Sequence, residues 1–327
     1  MQQKTLVEER PIRVLVVGGA GYIGGSVTDF LIQRNISFSV YDSLLYEQHY
    51  LKPVDFIYGD IRDTKKLKDI LPDYTHVIWL AAIVGDAACR VYPQLTKAVN
   101  QDTVEWLSQN YNGRIIFAST CSVYGQNDHE VNEESDLNPL SLYAETKAHA
   151  ESFLINKNAL IFRLGTVFGY SDTYSRLRMD LAVNYMTANA VLKGTLKIFG
   201  GSQWRPLMHV RNIAEAIVDN LQTAHVGIYN LATFNYQIKS LGEEIARITG
   251  CVAEYADEKF QDNRNYHVST SKANSAGILK FEKVYTVADG VQQIYDLISS
   301  HRIKYAENDV YFNERHVTNL YHNGELI

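Results

Sequence analysis

The chain has 327 residues, 46% hydrophobic and 21% charged, with a formal net charge of −6 and no long Lys/Arg run. The length supports a full core and two lobes, and the negative charge argues against a nucleic-acid partner. No apolar stretch approaches the ~18 residues of a membrane span; Met1 to Arg10 are too charged for a signal peptide, and the widely spaced Cys89, Cys121 and Cys251 fit reduced thiols, so a soluble cytoplasmic protein without a disulfide framework or metal site is expected.

Residues 13–17 read as a buried parallel strand running into Gly18-Gly19-Ala20-Gly21-Tyr22-Ile23-Gly24. A helix pattern follows, with Ile23, Val27, Phe30 and Leu31 on one side. Gly18, Gly21 and Gly24 would provide a tight turn, close backbone approach to a pyrophosphate, and close helix packing. The first helical N–H groups, from Tyr22 and Ile23 onward, would face the phosphates. The next strand, 37–41, ends at Asp42, eighteen residues beyond Gly24. An acid there accepts hydrogen bonds from the adenosine ribose and repels a 2′-phosphate, which predicts NAD rather than NADP. A helix-capping or loop aspartate is the plainer alternative.

Strand 54–58 leads to Gly59-Asp60-Ile61, where Asp60 and the Ile61 backbone would meet the adenine; a turn with a helix cap at Asp63 or Thr64 is equally compatible. Strand 76–80 ends in Leu80-Ala81-Ala82, small enough for backbone to pass under a cofactor. Helices are predicted to start near Tyr22, Thr64, Pro93 to Asn100, and Leu142. Strand 114–118 ends at Ser119-Thr120, and Tyr143-Ala-Glu-Thr-Lys147 follows. Residues four apart share a helix face, so Lys147 can sit beside Tyr143. A phenol titrates near ~10 and is a poor base unless a cation stabilises the phenolate. Thr120 would hold a substrate hydroxyl whose proton Tyr143 removes while hydride leaves the same carbon. A second Tyr/Lys pair, Tyr255 and Lys259, has no Ser or Thr strand end leading into it.

A strand at 159–163 completes an alternation that predicts an α/β fold, a Rossmann-type doubly wound parallel sheet with ligands at the carboxyl ends of its strands. Beyond it come an irregular loop (170–179), a helix at 180–192, a strand at 196–198, a helix at 211–222, a strand at 228–231 and helices at 239–249 and 287–299. These assign 11–165 plus about 206–232 to a cofactor lobe and about 166–205 plus 233–300 to a smaller mixed α/β lobe. Residues 301–327 have weak periodicity and no assigned place.

Together the glycine loop, Asp42, Gly59-Asp60-Ile61, Leu80-Ala81-Ala82, Asn100, Ser119 to Gly125, Tyr143 with Lys147, Arg163 to Gly169, and Gly200 to Pro206 ahead of His209-Val210 form a pattern over roughly residues 11–300. The chain resembles the extended short-chain dehydrogenase/reductases, in their nucleotide-sugar epimerase/dehydratase branch, which includes UDP-galactose 4-epimerase. The resemblance implies NAD in the first lobe, a nucleoside-diphosphate sugar against the second, and a homodimer through first-lobe helices. It gives Thr120 the sugar C4 hydroxyl, Tyr143 the role of base, and Lys147 the nicotinamide ribose. Asn100 joins the cofactor residues. Arg205, and Arg264 within Asp262-Asn263-Arg264, match arginines that pair with the substrate diphosphate, as suits guanidinium geometry.

Two departures limit the transfer. Dehydratases of the branch carry Asp-Glu after the catalytic Thr; here Cys121 and Ser122 stand there, which argues against elimination of water. Thr166 stands where epimerases usually place an Asn against the substrate, and Arg176 and Arg178 become candidates for contacting phosphates or an unusual sugar. Cys121 itself reads as a small buried filler, and His209 and His267 as structural. The segments 79–86 and 201–206 are similar to proteins of bacterial surface-polysaccharide pathways, including GDP-manno-heptose 4-dehydrogenases. The expectation is C4 oxidation of a nucleotide sugar, as 4-dehydrogenase or 4-epimerase. Its alternatives are a 4,6-dehydratase or 4-reductase and, from another class, a catalytically silent NAD-binding regulator.

Overall fold

Parallel strands buried on both faces sort alternate side chains into two cores, and this sorting organises the molecule. The computed structural model describes residues 11–47, 49–199, 201–256 and 264–326. Gly200, Lys259 and the Asp262-Asn263 pair, which the sequence motifs include, lie outside the described residues, as do residues 1–10.

In chain order the first half runs β1 (Arg13–Val17), α1 (Tyr22–Gln33), β2 (Ser37–Asp42), β3 (Phe56–Tyr58), α2 (Thr64–Ile70), β4 (His76–Trp79), α3 (Asp86–Val91), α4 (Pro93–Lys97), a π-helical turn at Ala98–Asp102, α5 (Thr103–Asn110), β5 (Arg114–Thr120), β6 (Gln126–Val131), α6 (Leu142–Leu154) and β7 (Ala159–Leu164). The second half comprises β8 (Thr166–Phe168), α7 (Ala182–Lys193), β9 (Thr195–Phe199), β10 (Trp204–His209), α8 (Val210–Asp219), β11 (Gly227–Leu231), β12 (Phe234–Gln237), α9 (Ile238–Thr249), β13 (Val252–Ala256), β14 (Asn265–Val268), α10 (Ser271–Ser275), α11 (Val287–Ser299) and α12 (Asn313–His322).

The central sheet has the order β11-β7-β5-β4-β1-β2-β3, all parallel. Leu15, Val17, Ile115, Phe117 and Ile161 enter one core with Leu107 of α5 and Leu154 of α6. Val14, Val16, Ile116, Leu160 and Phe162 enter the other with Val27 and Leu31 of α1 and Ile213 and Ile217 of α8. Helices therefore cover both faces, and the order reverses between β1 and β4. As the sequence predicts, the chain returns to this sheet with β11, which pairs with β7 from Gly227↔Leu160 to Leu231↔Leu164.

The remaining strands make small sheets beside the carboxyl ends of the central one: β12-β10-β8, β13-β9 and β14-β6. A third core of Phe168, Val183, Leu196, Ile245 and Val291 holds α7, α9 and α11 together. The third strand starts at Phe56 rather than at 54, because the preceding backbone turns so that Val54 N–H donates to Lys52 O. The predicted helix at 93–100 breaks into α4 and the π-helical turn. Neither β6, β14, α3 nor α12 carries an apolar period long enough to be read in sequence. Among the described residues no helix is long and apolar enough to cross a membrane, and no group of three His, Cys, Asp or Glu could hold a metal ion.

Candidate active site

The glycine turn is built by steric necessity. Gly18 has φ +84°, and a Cβ there would lie 2.5 Å from Ala81 N; a Cβ on Gly24 would lie 2.4 Å from Gly19 O. At Gly21 nothing stands closer than Gly18 O at 3.4 Å, so its missing side chain leaves room on the side where it faces a cavity. That cavity, about 450 Å³, lies at the carboxyl ends of the strands flanking the switch in order. It brings together the predicted Gly18, Gly21, Tyr22, Ile23, Gly24, Asp42, Asp60, Ile61, Leu80, Ala81 and Ala82 with Thr120, Tyr143, Lys147 and Arg178.

At the β2 end, the Asp42 carboxylate accepts from Ala20 N–H at 3.0 Å and Leu44 N–H at 2.8 Å. Burial raises its pKa, with those donors pulling the other way. Burial would raise Asp60 too, but Arg62, bonded to it at 2.6 Å, outweighs that and holds it below the usual carboxylate range. Tyr22 spends its hydroxyl on structure, donating to Gly169 O at 2.5 Å.

At the β5 end, Thr120 caps the following turn by accepting from Ser122 N–H at 3.1 Å. Helix α6 places Tyr143, Lys147 and Glu151 four residues apart on the face toward β5. Lys147 Nζ donates to Ala118 O at 2.8 Å and lies 4.6 Å from the centre of the Phe117 ring. Burial lowers its pKa to about 8, against the opposing pull of Cys89 and Glu151. Burial pushes the Tyr143 phenol up, with Cys89 and Asp86 adding to the rise; the Arg178 cation and a hydrogen bond with Thr120 act in the opposite direction. Thr120 and Tyr143 are thus within reach of one another, and the cation that lowers the phenol is Arg178 of the loop, where the sequence pointed to Lys147.

Below the trio, a buried network holds its strands in place. Arg163 Nη2 and Glu151 Oε2 pair at 2.7 Å, Ser119 Oγ donates to Glu151 Oε1 at 2.5 Å, and Arg163 Nη1 donates to Tyr124 Oη at 2.8 Å. Cys121 Sγ–H donates to Arg163 O at 3.2 Å, and Ser122 Oγ bonds Tyr266 Oη at 3.2 Å. Both side chains are committed to packing.

Four predicted residues sit outside the cavity lining. Asn100 clasps the backbone of Ile83, accepting from its N–H at 2.8 Å and donating to its carbonyl at 2.9 Å, so it acts through the loop after β4. Thr166 lies between the lining residues Gly165 and Val167. Arg205 donates to Trp204 O at 2.8 Å and Arg264 O at 2.5 Å, and Arg264 pairs with Asp86 at 2.9 Å. Asp86 in turn accepts from Ser141, the N-cap of α6, at 2.6 Å, so this chain of contacts ends at the helix that carries Tyr143. In the second Tyr/Lys match, Tyr255 is exposed on β13 and donates to Glu243, and Lys259 lies outside the described residues.

Sequence reading missed Tyr46, Glu47, Asn313, Glu325 and Leu326, all of which line the cavity. None belongs to a motif or a strong period. Tyr46 Oη is buried with no hydrogen-bond partner among the described residues. The room at Gly21 and the Asp42 carboxylate make the cavity a fit for a dinucleotide.

Comparison with known proteins agrees. The model of a family described as the NAD dependent epimerase/dehydratase family matches residues 14–232. UDP-arabinose 4-epimerase 1 of Arabidopsis thaliana is 28% identical over 283 residues, covering 72% of this chain and 67% of that protein. The dTDP-glucose 4,6-dehydratase of Mycolicibacterium smegmatis is 32% identical over 236 residues, 66% of this chain and 70% of that one. The chain thus spans about two thirds of the length of such relatives. The UDP-glucose 4-epimerase of Thermus thermophilus, solved as a complex with NAD, superposes with a TM-score of 0.72 at 25% identity, over 87% of this chain and 98% of that one. With glycine turn, Asp42 and the Thr120–Tyr143–Lys147 trio on one cavity, the chain belongs to the NAD dependent epimerase/dehydratase family, as an NAD-using enzyme of the extended short-chain dehydrogenase/reductase type.

Proposed function

We propose that the site oxidises the C4 carbinol of a nucleoside-diphosphate sugar, as a 4-epimerase or 4-dehydrogenase. The observation that carries this reading is the convergence of Thr120, Tyr143 and Lys147 on the cavity that also holds the glycine turn. Gly18, Gly21 and Gly24 would hold the pyrophosphate, Asp42 the adenosine ribose, and Asp60 with Ile61 the adenine. NAD, when bound, supplies a hydride acceptor.

The chain's residues handle the proton. Thr120 orients the sugar hydroxyl, and Tyr143, as phenolate, takes its proton as the carbon loses hydride. Desolvation opposes that phenolate and the Arg178 cation favours it; Lys147, one helical turn from Tyr143, is assigned to the nicotinamide ribose in this reading. Arg178 is itself fixed by Asp180, with contacts of 2.6 and 2.9 Å, and offers a preset cation to the phosphates or an acidic sugar. Asn100 keeps the loop beneath the cofactor in place. Arg205 and Arg264 serve the diphosphate in this reading, with Arg264 exchanging Asp86 for phosphate. Elimination of water, the activity of the Mycolicibacterium relative, would need an acid and a base after Thr120; Cys121 and Ser122 supply neither and are bonded elsewhere.

The test is a panel of GDP-, UDP-, dTDP- and CDP-sugars, followed by NADH absorbance and product mass. A GDP-heptose of bacterial surface-polysaccharide synthesis heads the panel, on the strength of segments 79–86 and 201–206. An altered sugar of unchanged mass identifies an epimerase, and loss of two hydrogens a dehydrogenase. Loss of water, or no reaction with any sugar, overturns the reading. A homodimer in the cytoplasm belongs to the same proposal; a mass of 37.1 kDa by light scattering would remove the dimer.

A further inference from the structure

The segment after residue 300, which no motif placed, crosses the cavity from its substrate side to its adenosine side. Its helix α12 opens with Asn313, which is 2% exposed. Asn313 Nδ2 donates to Val84 O at 2.8 Å, its Oδ1 accepts from Arg176 Nη2, and its backbone N–H donates to Asp180 Oδ2 at 3.1 Å. Val84 follows β4 on the cofactor side, whereas Arg176 and Asp180 lie on the loop ahead of α7. One residue therefore fastens the two walls together.

Further along, His316 Nε2 bonds Leu45 O at 2.8 Å, and its ring lies 5.6 Å from that of Tyr46. Val317 is buried in the core beneath the sheet. Leu45 and Tyr46 come just after Asp42, the ribose acid. The ten-residue helix rises about 15 Å, and just past it Glu325 and Leu326 line the cavity that Asp42 and Asp60 also line.

We propose that residues 313–326 form a clasp that retains the dinucleotide, with Asn313 as its latch and Glu325–Leu326 as its closing edge. Release of the cofactor then requires α12 to leave its seat, and Asn313 cannot leave without giving up partners on both walls at once. This goes beyond the proposed reaction and rests only on NAD binding. Where that reaction holds, a retained cofactor favours return of the hydride to the sugar over its export as NADH.

The test loads the full chain with NADH, chases with excess NAD, and follows the loss of bound-NADH fluorescence. Asn313→Ala is expected to raise the dissociation rate constant at least tenfold, and truncation after His322 at least threefold. Tyr305→Ala, an exposed ring outside the clasp, leaves the rate unchanged. Rates within twofold of the parent for both clasp variants would overturn the proposal. If Asn313→Ala does not fold, the truncation decides: a rise supports the clasp and an unchanged rate ends it. No sugar enters the measurement, so its outcome is independent of substrate identity.

Discussion

The two walls of the cavity are assembled by different physics. The cofactor wall consists of strand ends and a glycine turn, each position set by its immediate backbone. The facing wall, residues 170–181 and 301–326, has no sheet of its own and is pinned by contacts between distant residues. Buried Lys52 pairs with Asp172 at 2.8 Å, Arg176 bonds Asn313, and the Arg178–Asp180 pair receives Asn313 N–H. The first wall has its strands packed on both sides; the second is joined to it by polar contacts and by Val317 of α12, which enters the sheet core. In the proposed reading chemistry sits on the first and selectivity on the second, and mutation can test that division.

The largest effect is expected at the chemistry. Tyr143→Phe should lower kcat by about 10²–10⁴-fold with NAD affinity unchanged, checked by steady-state kinetics and NADH titration; retained turnover would move the base elsewhere. Next comes the frame under that wall. Glu151→Gln leaves the buried Arg163 guanidinium without its carboxylate and should destabilise the fold by about 3 kcal/mol, read by denaturant unfolding. On the facing wall, Arg178→Ala should raise KM for the sugar nucleotide about tenfold while the melting temperature changes less than for Glu151→Gln. An unchanged KM would take Arg178 out of substrate binding.

Much of the first wall was legible in the sequence because its constraints are local. Gly18 must be glycine for its φ and for Ala81; Leu15 and Val17 alternate with Val14 and Val16; Tyr143 and Lys147 are one helical turn apart. Even the late return of β11 to the sheet showed as a short apolar strand. Of the second wall only Arg176 and Arg178 were legible, and both line the cavity; the rest was not, because Asn313 and Arg176 are 137 residues apart in sequence and meet through polar contacts that have no period. For the same reason Arg205 and Arg264 were legible as guanidinium groups while their distant partners, Arg264 O and Asp86, were not.

A pH series separates the walls more gently. Lys147 has its pKa lowered by burial to about 8, against ~10.4 when unfolded. Raising the pH through 8 removes its charge from beside Tyr143 while the phenol, whose pKa burial raises, gains phenolate in proportion, so kcat/KM for the parent should rise with pH below that point and level off above it. Stability should keep rising. Between about 8 and ~10.4 the unfolded chain binds more protons than the folded one, so this lysine's contribution favours the fold increasingly as pH rises. A parallel fall of rate and stability would mean that the alkaline limb reports unfolding.

The smallest effect is expected at Cys121, and it bears on the boundary between the two walls. This thiol stands where dehydratases of the branch place an acid, next to Thr120, yet it is fully buried and donates to Arg163 O. Burial pushes its pKa well above the ordinary thiol value, with Arg163 opposing, so it carries no charge at neutral pH and cannot serve as a ready base. Cys121→Ala should therefore cost about 1 kcal/mol of stability through lost packing and leave kcat within about twofold. Alkylating reagents should leave the folded parent's Cys121 unmodified. A loss of turnover comparable to that of Tyr143→Phe would make the thiol a catalytic group and reopen acid–base chemistry beyond C4, since a side chain that only fills space beneath Thr120 has no means of producing it.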